Sequence, residues 1–261
     1  MNPRQVRRYL LPTLALLAAL GAWEAVVRVN DIQPVILPAP SLVAKTLVAD
    51  WSILFRSLLV TLRITVEAMV AATLGGTLAA LAFARFKWLE EAIFPFAVIM
   101  QVTPVVAIAP LLLVYFDSAG AVLVCSFLVA FFPILSNTSL GLSSVDHNLL
   151  DLFQLYRASG GRQLLWLRVP SALPYFLGGL RIGGGLALIG AIVAEIAAGS
   201  AGQGSGLAFR IIESGYRLNI PRMFAALALI SFAGVAIYLA LSALSYLLLH
   251  RWHDSARNRE T

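Results

Sequence analysis

The chain has 261 residues, 60% of them hydrophobic and only 12% charged, with a mean hydropathy of +0.86, which excludes an ordinary soluble domain and describes an integral membrane protein. The net charge of +6 does not point to nucleic acid, because the basic residues stand at the ends of apolar segments, where membrane topology accounts for them. One cysteine, Cys125, inside an apolar run, excludes an intramolecular disulfide and reads as a small buried side chain.

The N-terminal run has Arg4, Arg7 and Arg8 ahead of apolar residues, as a secretory signal would. Residues 9–29 are nevertheless long enough to cross a bilayer and further apolar spans follow, so this is expected to be a first transmembrane helix with its basic end cytoplasmic. Pro34, Pro38 and Pro40 then stiffen the chain, and Ser41 is a candidate cap for a short helix running to Asp50 outside the membrane. The second span covers 55–83, with Arg56 and Arg63 at its outer end and Arg85 and Lys87 closing it inside. Gly75 and Gly76 permit close packing there. Glu67 faces protein or water, or else sits at the outer interface.

The third span, 92–116, contains Pro104 and Pro110, each of which removes a helix hydrogen bond. A broken helix needs neighbours or a cavity, which makes Gln101, Thr103 and Pro104 candidates for lining a pathway; the alternative is a proline kink with polar back-bonding. In the fourth span, 122–142, Pro133 and Asn137 raise the same question. The fifth, 175–198, is glycine-rich and suited to close helix contact, and its Glu195 either lines a route or is an interfacial acid. The glycine-rich segment from residue 199 lacks the Gly-Lys-Ser/Thr ending of a phosphate loop and is expected to be an outer loop with a short helix, 207–214. The sixth span is 223–249.

Between the fourth and fifth spans, residues 146–174 form a long polar interruption. Leu149, Leu152, Phe153 and Tyr156 recur at i, i+3, i+4 and i+7, which predicts a short amphipathic helix. Gly160 and Gly161 are expected to break it before a second short run, 163–168, that stops at Pro170 and Pro174. Six spans put both termini in the cytoplasm; twelve of the 19 basic residues, Arg181 among them, then fall inside and seven outside, and the polar stretch is cytoplasmic. By pattern alone it is either a solvated connector or a docking surface.

No zinc-ligand spacing surrounds His147, His250 or His253, and no nucleophile elbow, His-Glu-x-x-His or Walker loop occurs. Any use of ATP would require another subunit. A polytopic membrane enzyme lacks a catalytic constellation here, and a stand-alone secondary transporter would have only Glu67 and Glu195 as candidate coupling residues.

Nearly the whole chain resembles the permease subunits of bacterial ATP-binding-cassette importers, the nitrate, sulfonate and taurine type with its pyrimidine-precursor relatives. The family signature is Glu-Ala-Ala, three residues, Gly, nine residues, Ile, any residue, Leu-Pro. Its spacing falls here on Asp151-Leu152-Phe153, Arg157 at the glycine place, then Leu167, Val169 and Pro170. Similar too are residues 37–41, 101–116, 131–142, 173–187 and 194–208. Asp117 stands where the group commonly has glycine. The departure at Arg157 matters because the family glycine makes the turn between two coupling helices, and Gly160-Gly161 is expected to make that turn instead.

The resemblance implies an all-α permease of the type I importer class, in the bacterial inner membrane. It implies a partnership of two permease copies as a homodimer, two cytoplasmic ATPases that carry the ATP and magnesium, and an extracytoplasmic solute-binding protein. Asp151, Leu152, Phe153, Tyr156, Arg157, Gly160, Leu167 and Pro170 would then couple to the ATPase. Gln101, Thr103, Pro104, Asn137 and Glu195 would line the path.

Overall fold

A computed structural model describes the backbone of residues 3–199 and 205–250, with side chains from residue 10 onward. Arg4, Arg7, Arg8, the loop 200–204 and the tail 251–261, on which part of the topology reasoning rests, lie outside the described side chains. Among the described residues every regular element is a helix. In order come α1 (Pro3–Val29), α2 (Pro40–Ala49), α3 (Trp51–Arg85), α4 (Lys87–Val102), α5 (Val105–Tyr115), α6 (Ser118–Ser143), α7 (His147–Leu155), α8 (Gly160–Gln163), a π-helical turn (Leu164–Arg168), α9 (Val169–Ala198), α10 (Leu207–Tyr216) and α11 (Ile220–Leu249).

Five of these helical stretches are long and apolar enough to cross a bilayer: Leu10–Val29, Trp51–Arg85, Ser118–Ser143, Gly160–Ala198 and Ile220–Leu249. The expected third span differs. Of the two readings, a broken helix or a proline kink, the structure has the break: α4 and α5 meet at 102°. The break falls at Thr103 and Pro104, both extended, because a proline has no N–H to donate and pushes the preceding residue out of the helical region. Thr103 satisfies the frayed end by donating its hydroxyl to the Ile99 carbonyl at 2.8 Å. Pro110 lies inside α5 without ending it.

The centre of the fold is the antiparallel pair α6 and α9. A Cβ added at Gly141 would come within 2.8 Å of the Ala172 Cα, one at Gly179 within 3.0 Å of the Pro133 carbonyl, one at Gly183 within 3.1 Å of the Ala130 carbonyl, and one at Gly190 within 2.9 Å of the Ser126 Cα. Four glycines along one seam thus bring two backbones closer than alanine would allow. Ser126 crosses the seam, donating to the Ala187 carbonyl at 2.7 Å; such bonds contribute about 0.6 kcal/mol in a membrane. Gly76 of α3 repeats the device, lying 3.2 Å from the Leu135 nitrogen by the same measure. Gly184 turns the other way, against Leu241 and Ile237 of α11. Ala72, Ala130, Ile134, Leu177, Ala187 and Leu241 fill the core between these four helices.

Three local expectations change. Ser41 does not cap α2, whose N-cap is Ala39 with Pro40 at the first helical position. Its hydroxyl and N–H instead donate to the Glu24 carboxylate at 2.7 and 3.0 Å, tying α2 to α1. The second short helix expected at 163–168 is not separate: it runs through the π-helical turn into α9. There the Val169 N–H bonds to Leu164, and this wider turn absorbs Pro170, whose ring an ordinary α-turn would press against the carbonyl four residues back. Asp117, extended at φ −64°, needs no glycine, because its carboxylate accepts from the Gly120 N–H at 3.1 Å and caps α6.

Gly141→Val is expected to lower the thermal unfolding midpoint in detergent, at a cost of about 1–3 kcal/mol from overpacking. Gly185→Ala, whose Cβ would meet no atom within 4 Å, should hold or raise it. Equal shifts for the two would remove the α6–α9 seam as the cause.

Candidate coupling segment and pathway groove

Helix α7 begins at Asp146, whose carboxylate accepts from the Asn148 N–H at 2.8 Å. It ends in a Schellman motif: Ala158 N–H to Phe153 carbonyl at 2.9 Å and Arg157 N–H to Gln154 carbonyl at 2.8 Å. The residue that closes this motif must be left-handed, and that residue is Arg157, at φ +52°. The turn therefore sits at the family-glycine position itself. Gly160 and Gly161, expected to make it, are the first residues of α8 instead, capped by the Ser159 hydroxyl at 3.4 Å from the Arg162 nitrogen. A non-glycine residue held left-handed carries a conformational cost of about 1–2 kcal/mol.

No residue of α7 is buried. Leu149 and Leu152 are each 45% exposed and Tyr156 78%, so the apolar stripe read from the sequence is not turned into this chain's core; Phe153 alone of the four is half-buried. Asp151, Arg157, Gly160 and Pro170 are exposed as well. Leu167 is different. At 7% exposure it anchors the π-helical turn to the bundle, while Leu165 and Trp166 beside it point outward.

Gln101, Thr103 and Pro104 do come together, at the α4–α5 break. They border a groove of ≈ 360 Å³ with Pro133 and Phe132 of α6 and Leu186 of α9. Asn137 does not border it. Its side-chain amide donates back to the Pro133 carbonyl at 2.8 Å, and its Cβ sits against Gly179 in the α6–α9 seam.

Glu195 lies away from the groove, buried at 3% exposure. One carboxylate oxygen accepts from the Thr61 hydroxyl at 2.8 Å and the other from the Ala208 N–H at 3.0 Å. Thr61 in turn accepts from the Leu207 N–H at 2.9 Å. An acid of α9 and a hydroxyl of α3 thus supply the N-terminal cap of α10, which has no capping side chain of its own. Gly206 lies directly against that carboxylate, so a Cβ there would collide with it. Arg210 of α10 donates to Ser57 of α3 at 3.0 Å and pairs with Glu213 at 2.7 Å; this hydrogen bond holds the Glu213 carboxyl below the usual range. Arg222 pairs with Asp50 at 2.6 Å. This polar knot was not foreseen from the sequence, since Thr61 and Glu195 are 134 positions apart. It sits at the end of α9 opposite α7.

Residues 72–259 match the family of binding-protein-dependent transport system inner membrane components. The chain belongs to that family. It is 32% identical to a probable ABC transporter permease of Haemophilus influenzae, over 94% of this chain and 97% of that protein. The riboflavin transport system permease of Chloroflexus aurantiacus is 32% identical over 97% and 95%, and the formylaminopyrimidine transport permease of Halalkalibacterium halodurans 33% over 91% and 94%. Sulfonate, taurine and nitrate permeases are more distant relatives. The chain is therefore a multi-span inner-membrane permease of an ABC importer with the type I fold, a non-catalytic transport subunit whose ATPase is a separate partner.

Glu195→Ala leaves two buried donors without an acceptor, a cost of about 1–3 kcal/mol. Amide exchange in this permease should then speed up over residues 207–216 and not over α7; unchanged protection of α10 would show that the cap is not what holds it. Arg157→Gly removes the left-handed penalty and should slow exchange across 147–158 by roughly 1 kcal/mol, whereas Arg157→Val should hasten it. Identical exchange in the two variants would mean that the left-handed turn is not maintained.

Proposed function

We propose that the permease works as a pair of identical chains with two ATPases and an extracytoplasmic solute-binding protein, both termini cytoplasmic. In this reading α7 and the π-helical turn form the coupling element. Asp151, Leu152, Phe153, Tyr156, Arg157, Gly160 and Pro170 face the ATPase, and Leu167 fastens the element to the bundle. The observation that carries it is an amphipathic helix whose apolar stripe is left uncovered by its own chain, closed by a left-handed turn at the position of the family glycine. A surface helix with three of the four residues of its apolar stripe exposed needs a partner to hide them. ATP binding would close the ATPase pair and push α7; the rigid α8–α9 column would carry the displacement into the membrane, and hydrolysis would reset it.

The path runs past the α4–α5 break, where Gln101, Thr103 and Pro104 offer polar and non-helical backbone groups beside a groove. Asn137 and Glu195 support the surrounding helices in this reading. Permeases of riboflavin and formylaminopyrimidine are among the full-length relatives, so planar nitrogen heterocycles are the first solutes to test.

Reversing Asp151 to Lys together with Arg157 to Glu should leave the chain folded in detergent and lower recovery of the co-expressed ATPase on the tagged permease by roughly tenfold, the effect of about 1.4 kcal/mol. Undiminished co-purification would sink the coupling assignment.

A further inference from the structure

Arg181 was counted among the cytoplasmic basic residues on sequence grounds, and the fold moves it. It is the thirteenth of the 30 residues of α9, roughly 18 Å along the helix from Val169 at 1.5 Å per residue. The neighbouring Gly184 packs on Ile237 and Leu241, in the middle of α11. Counted from the expected start of the fifth span at 175, it lies six residues, roughly 9 Å, into a hydrocarbon layer about 30 Å thick. None of the six ion pairs among the described residues includes it, and its buried Nε donates to nothing among them. What it does have is an aromatic face: its guanidinium carbon lies 5.8 Å from the Tyr238 ring centroid, at the limit of a cation–π contact.

The position of Arg181 around α9 adds a second observation. Gly178, Ile182, Gly185 and Ile189 form one stripe of the helix at i, i+4, i+7 and i+11. No atom lies within 4 Å of a Cβ built on either glycine, and both isoleucines are about half exposed. Arg181 flanks this stripe on the α11 side. Leu186 flanks it on the other side and is the residue through which α9 reaches the Gln101–Pro104 groove. An uncovered, glycine-notched helix face thus runs between the groove that Gln101 and Thr103 border and an arginine with spare donors. A membrane-embedded cation without an anion is costly unless it meets water or a ligand.

We infer that Arg181, with Tyr238 beside it, is a solute-contacting residue of the translocation route, and that it donates N–H groups to acceptor oxygens of the passing solute. Those oxygens belong to an oxyanion or to the carbonyls of a planar ring; the guanidinium fork suits both. The inference rests on the permease reading above and adds to it a named contact and the chemistry it selects.

The test uses the full permease–ATPase complex in nanodiscs, in a Cys125→Ala background, with Gly185→Cys placed on the stripe while Arg181 stays intact. The probes are two methanethiosulfonate reagents, one bearing a sulfonate and one a trimethylammonium group. The thiol is expected to react in at least one nucleotide state and to prefer the anionic reagent. Adding Arg181→Gln should lower the anionic-to-cationic rate ratio by on the order of a hundredfold, since one unit charge roughly 10 Å away at an effective dielectric near 20 acts on the two reagents in opposite senses, and Arg181→Lys should restore it. A thiol inert to both reagents in every nucleotide state overturns the inference, as does a ratio indifferent to Arg181→Gln. Co-purification of the ATPase with the Gly185→Cys permease tests the permease reading separately, so an intact complex with an inert thiol refutes the contact alone.

Discussion

Everything else in this permease is hung on the close approach of α6 and α9. Four glycines, Gly141, Gly179, Gly183 and Gly190, let the two backbones meet where any side chain would collide with main-chain atoms. In a membrane this contact cannot be driven by expelling water from apolar surface, since lipid tails are as apolar as leucine. It depends on van der Waals contact and on the few polar bonds that cross, such as Ser126 to Ala187. With that seam closed, α3 docks through Gly76 and α11 through Gly184, and the two ends of α9 are held in fixed relation.

Those ends are built on opposite principles. At one, α9 continues without interruption through a π-helical turn into α8, beyond which α7 carries an uncovered apolar stripe. At the other, Glu195 is locked by the Thr61 hydroxyl and the Ala208 N–H, and Thr61 in turn accepts from the Leu207 N–H. One end is stiffly joined but has a surface left over; the other has Glu195 and Thr61 paired within the chain. A force applied at α7 would therefore reach the far side of the bundle through a column of helix whose outer end is tied to α3 and α10. The α4–α5 break lies beside this column, not in it, and leaves a groove that a rigid span would have filled.

Arg157 shows how a departure from a family pattern can keep the pattern's geometry. The turn after α7 needs a left-handed residue, which glycine supplies at little steric cost. Here an arginine takes the same conformation, stabilised by the two hydrogen bonds of the Schellman motif. Gly160 and Gly161 looked better suited on composition, but a turn belongs where the helix hydrogen bonds run out. Phe153 and Gln154 are the carbonyls left to satisfy, and they lie within reach of residues 157 and 158 only.

Composition, hydrophobic runs and turn residues were enough to determine the helical membrane class, most of the long apolar helices, the amphipathic α7 and the meeting of Gln101, Thr103 and Pro104 at a break, because each of these follows from interactions within a few residues of chain. The 102° angle at that break, the absorption of Pro170 into a π-helical turn and the use of Ser41 as a donor to Glu24 depend on neighbours that local pattern does not contain. The same holds for Glu195 and Arg181, two charges inside the same helix. Only the tertiary structure separates them: a threonine 134 positions away and the Ala208 N–H each donate to the acid, while the arginine faces a tyrosine ring and an open stripe. The energy of a charge in a membrane depends on what stands beside it, and that is decided by packing.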